Sequence, residues 1–193
     1  KRVAARRRWS GAIVALSAAL LLAGCGAAAR EWVKPGAAPI IRLALLPFDN
    51  QTPSLRAGGV ASDLVASELL ATGLVSLLDP SEVADLLRRE GLEPSEPGRL
   101  PSAQRIGRLL QVTHVMQGSV TEYRYKPGVS ETPVVGVSAR VVEVASGEVV
   151  WTASHARSGS GWLAGDGLAR IAQSIARDMA QHLTSALGGA RGR

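Results

Sequence analysis

Among 193 residues the chain has one cysteine, one phenylalanine, two tyrosines and three histidines. A single thiol allows no internal disulfide, so packing must hold the fold even in an oxidising compartment. Aromatic residues make up 4% of the chain, which leaves the core to Leu, Val, Ile and Ala. His114, His155 and His182 are scattered, no HExxH occurs and there is no second cysteine, so no metal-ligand set is visible. Ser158 and Ser160 lack a GxSxG elbow and have no recognisable Asp-His pair. Gly159, Ser160 and Gly161, with Gly165 and Gly167, lack the Lys-Ser/Thr ending of a phosphate loop, and the segment reads as a flexible connection. Asp63, Glu68, Glu82 and Asp85 read as solvated helix faces. Nothing in the sequence argues for catalysis, a metal or a soluble cofactor.

Charge of one sign is scarce once its location is considered. The formal net charge is +6, but five of the 22 Lys and Arg are Lys1, Arg2, Arg6, Arg7 and Arg8, leaving 17 against 16 Asp and Glu. The remainder shows no polybasic stripe with interleaved aromatics, which excludes the usual footprint of a nucleic-acid binder.

What is present begins with that basic cluster. It is followed by a run of apolar or small residues over 11–23, the pattern of a secretory signal, too short for the roughly 20 residues that span a bilayer. Leu22, Ala23, Gly24 and Cys25 resemble a bacterial lipobox, which makes Cys25 the expected lipidation site. Each buried CH₂ of an attached acyl chain contributes about 0.8 kcal/mol of membrane affinity. Similarity to Gram-negative lipoproteins, with Gly26 rather than aspartate after the cysteine, implies an outer-membrane anchor facing the periplasm.

The expected organisation is a signal over 1–24, a lipidated cysteine and short tether over 25–39, one domain over 40–187 and a disordered tail over 188–193. The tether, rich in Ala, Gly and Pro, reaches at most roughly 50 Å. Residues 40–48 (IIRLALLPF) suit a strand buried on both faces, ended by Pro47 and the turn-forming Asp49 and Asn50. Helical spacing over 57–72 ends at Gly73, and 74–78 reads as a second strand. Asp79, Pro80 and Glu82 mark a helix start, Leu92 to Pro101 a surface loop, and Ser102 a third helix. Segments 113–125, 133–144 and 148–157 read as strands, the last two joined at Ser146 and Gly147. A two-residue turn there would set Val144 opposite Val149 and Val142 opposite Trp151, on a face covered by the amphipathic helix 168–187. The order β-α-β-α-α-β-β-β-α predicts an α+β domain with one mixed sheet packed by helices.

Three stretches, LALLPFDNQTP (43–53), MQGSVTEY (116–123) and ARVVEVASGEVVWTAS (139–154), together resemble the superfamily of periplasmic lipoproteins that includes CsgG and LpoB. The resemblance implies a fold like the N-terminal domain of TolB. It also makes Pro47, Phe48, Asp49, Asn50, Gly118, Ser119, Gly147 and Trp151 structural motif positions, with Phe48 against the helix and Gly118 a close-approach or bulge position. The channel-forming relatives thread membrane hairpins with strands of about 9 to 11 residues. Here the comparable site, 126–133, is a short polar turn, so no pore is expected from this chain alone. The LpoB-like members use a long arm, and the tether here is short.

The expected function is therefore a non-enzymatic outer-membrane lipoprotein that binds an envelope protein or itself. Activation of a penicillin-binding protein in peptidoglycan synthesis and an accessory role in curli-like secretion are the alternatives. The lipid on Cys25 is the only attached group expected, and neither nucleic acid nor a small-molecule substrate is among the partners.

Overall fold

The computed structural model describes residues 27–93, 102–128, 131–159 and 167–187. Cys25, Leu22, Ala23, Gly24, the signal, the glycines at 161 and 165, and the tail lie outside the described residues. The elements in order are β1 (Ala27–Val33), β2 (Arg42–Leu45), β3 (Asp49–Asn50), α1 (Ala57–Thr72), β4 (Ser76–Leu78), α2 (Pro80–Arg89), α3 (Ala103–Leu109), β5 (His114–Lys126), β6 (Thr132–Glu143), β7 (Val149–Ser158) and α4 (Leu168–Leu187). They form one mixed sheet in the order β1-β7-β6-β5-β2-β4, with β3 pairing β5, so the chain is a single-sheet α+β protein.

β2 sits between parallel neighbours β4 and β5, which explains its unbroken apolar run. Leu43 and Leu45 enter the core beneath α1 and α4, while Ala44 and Leu46 enter the core beneath α2 and α3. Pro47 has no N–H to donate and interrupts the strand. Pairing resumes where Asp49 and Asn50 lie beside Ser119 and Val120. The expected turn comes later and is organised by Asn50, whose Oδ1 accepts from Thr52 N at 3.1 Å and whose Nδ2 donates to Ser54 O at 2.7 Å. α1 ends at Gly73 with φ 64°, and Asp79 caps α2 by accepting from Ser81 N at 2.9 Å.

Two expectations are corrected. Residues 27–33, placed in the tether, form edge strand β1, antiparallel to β7 from Ala27–Arg157 to Val33–Trp151. Its Ala-rich composition has low strand propensity, and β7 supplies the backbone partners that decide the outcome. The 143–149 connection is longer than two residues: Glu143 N bonds Glu148 O, Gly147 N bonds Glu143 O, and a bulge sets Val141 opposite Trp151 and Val142 opposite Val149. The four side chains consequently divide between faces. Trp151 and Val141 lie under α1 and α4, whereas Val142, Val144 and Val149 lie with α2 and α3. A one-residue slip exchanges faces in this way because side chains alternate along a strand.

Candidate functional site

One face of the sheet is roofed by α1 and α4. The other is covered by α2 and α3 only near β2, β4 and the adjoining ends of β5 and β6, leaving the rest open. Strand register arranges the open part in two rows. Gln117, Arg140, Thr152 and Trp32 form one across β5, β6, β7 and β1; Ser119, Ser138, Ser154 and Arg30 form the next, with Asp49 of β3 beside Ser119. They line a shallow groove of about 740 Å³.

The floor is made of small hydroxyl side chains. Ser138 Oγ and Ser154 Oγ are 3.0 Å apart, and Arg140 Nε donates to Gln117 Oε1 at 3.1 Å. Trp32 is 48% exposed and stands at the β1 edge, with Arg30 next to it along the strand face. Neither guanidinium meets a carboxylate among the described residues, and the Arg30 side chain has no hydrogen-bond partner among them. The groove thus combines two guanidiniums without a carboxylate partner, neutral donors and acceptors, one indole and, at its β3 end, the carboxylate of Asp49. No serine in it has a histidine partner, because His155 points to the opposite face.

On that opposite face, Glu31 fastens β1 to the body of the domain. His155 Nε2 donates to its Oε1 at 2.6 Å, and His182 of α4 closes on its other carboxylate oxygen. Glu31 and His155 are both largely buried. The third histidine, His114, is also buried; desolvation pushes its ring below the ordinary range against the raising effect of Glu143. Burial, aided by Asp79, raises the carboxyl of Asp63.

Of the motif positions named from sequence, Phe48, Asp49, Gly118 and Ser119 meet at the β3–β5 junction. A Cβ on Gly118 would lie 2.6 Å from the Phe48 ring. Pro47 and Asn50 flank this junction in the chain. Gly147 is remote, in the β6–β7 turn at φ 76° against Gln104, and Trp151 is fully buried on the helix side with its indole N–H unpartnered. Sequence reasoning missed Arg30, Trp32, Gln117, Ser138, Arg140, Thr152 and Ser154. The available signal was the alternation Gln117/Ser119, Ser138/Arg140 and Thr152/Ser154, which marks a solvated face on three consecutive strands.

No family model and no curated protein matches the chain. Solved structures do. A PelC dodecamer from Paraburkholderia phytofirmans aligns with TM-score 0.61 and 27% identity over 86% of this chain and 100% of that one. The lipoprotein GNA1162 from Neisseria meningitidis aligns with TM-score 0.60 and 16% identity over 73% of this chain and 99% of that one. The LpoB C-terminal domain from Salmonella enterica is a weaker likeness, with TM-score 0.48 and 19% identity over 63% of this chain and 85% of that one. The chain shares the PelC and GNA1162 fold.

Proposed function

We propose that this chain is a lipid-anchored, non-enzymatic module of the Gram-negative cell envelope that works by assembling with itself and docking an envelope protein. The observation that carries this reading is the whole-length likeness to a protein solved as a dodecamer, at 27% identity over all of that chain. A lipobox-like stretch ending at Cys25 and a fold shared with a solved lipoprotein support the anchor. The anchor belongs on the periplasmic face of the outer membrane.

β1 changes what such an anchor does. Only Gly26 separates Cys25 from Ala27, so the lipid would hold the edge of the sheet within about 7 Å rather than at the end of a 14-residue leash. A fixed distance to the bilayer suits an assembly that must share one plane. Neither penicillin-binding-protein activation nor curli-like secretion is favoured by an observation on this chain.

Native mass spectrometry of the lipidated chain in detergent is the test. A single closed oligomer is expected; a monomer at every concentration would overturn self-assembly.

A further inference from the structure

The rows on the open face have a spacing that selects a ligand. Arg30 and Arg140 lie two strands apart across the sheet and two residues apart along it. With strands about 4.8 Å apart and a rise of about 3.4 Å per residue, their Cα atoms are about 12 Å apart. On one face of an extended peptide, residues i and i+4 are about 13 to 14 Å apart by the same rise. Two carboxylates at that spacing meet two guanidiniums, whose planar forks bind carboxylates bidentately.

Between the arginines, Ser138 and Ser154 offer hydroxyls that both donate and accept, and no bulky side chain rises from that row. A peptide main chain can cross there. The indole of Trp32 provides a wall for an apolar side chain at the β1 edge. Asp49, at the far side, opposes any ligand that extends an anionic group towards β3.

We propose that the groove bounded by Arg30, Trp32, Arg140 and Ser154 binds an extended acidic peptide segment of an envelope protein, carrying carboxylates at i and i+4. This rests on the docking part of the proposed function and adds the chemistry of the partner. If Cys25 is lipidated, Arg30 lies no more than about 17 Å of chain from the anchor, so the partner's segment must be close to the membrane.

The test is fluorescence anisotropy with the full chain in detergent and a labelled nine-residue peptide of alternating Glu and Val. Expected are saturable binding, no binding of the peptide with Lys in place of Glu, and at least a tenfold loss for Arg30→Gln or Arg140→Gln at unchanged melting temperature. Both arginines are exposed, so these variants leave the core intact. Equal binding of the Lys peptide, or unaltered affinity in both variants, overturns the proposal. Binding of oligogalacturonate but not the Glu peptide overturns it in favour of an anionic glycan. Native mass spectra of the same samples separate the two ideas: an intact oligomer that ignores the peptide ends this inference alone, while variants that dissociate without changing peptide affinity assign the arginines to contact between copies.

Discussion

Gly118 has no room for a side chain because the Phe48 ring occupies the space a Cβ would need. The ring is buried against α1, so it cannot swing clear cheaply. Gly118→Ala should therefore destabilise the domain by about 1–3 kcal/mol, as overpacking does, measured by urea unfolding. Pairing it with Phe48→Leu should recover part of that loss, and strict additivity would refute the contact as the cause. His114 gives the residue scale its pH dependence. Its ring is held below the ordinary histidine value of about 6.5, mainly by burial, so the folded state resists protonation that the unfolded chain accepts. Stability is then complete above that value and falls as pH drops through it towards the folded value, because the unfolded state binds more protons in this window. Unfolding curves at about pH 7.5 and about pH 5.5 should differ less for His114→Gln than for the parent; an undiminished difference would place the effect elsewhere.

At the scale of elements, β1 is the one whose presence sequence reasoning did not foresee. Its seven residues include three alanines and no β-branched residue before Val33, and composition marked them as linker. Backbone pairing with β7 and the grip of His155 and His182 on Glu31 hold it in place. Loss of a hydrogen bond to a charged group costs about 1.5–3 kcal/mol, so Glu31→Gln should speed amide exchange across β1 by tenfold or more while α1 keeps its protection. Uniform acceleration throughout the domain would instead mean that β1 and the core open together. The β6–β7 hairpin shows the opposite kind of error. Both strands were legible from their β-branched residues, yet a bulge moved Trp151 to the face opposite Val142. Turn length and bulges depend on local hydrogen bonds that composition does not encode.

For the molecule as a whole, β1 begins two residues after Cys25, so in the proposed function a lipid on that cysteine would hold the sheet edge, and any assembly built on it, close to the membrane. Cys25→Ala should release the protein from the outer-membrane fraction on cell fractionation, since acyl chains supply the membrane affinity. Retention of the variant there would show a second anchor. Among the described residues no helix is long and apolar enough to cross a membrane.

The sequence by itself determined the fold class, the four helices and the three long strands. Hydrophobic period and capping residues act over a few positions and are written locally, as in Asp79 and Pro80 at the start of α2 or Gly73 at the end of α1. Phe48, Asp49, Gly118 and Ser119 were singled out only through a family resemblance, and that they are neighbours came from the structure. Only the tertiary structure decided the edge strand, the face on which Trp151 lies and the groove from Arg30 to Gln117. These depend on register between strands up to 130 positions apart, as in the pairing of Ala27 with Arg157, and a side chain's face is settled by its partner strand, which no local pattern specifies.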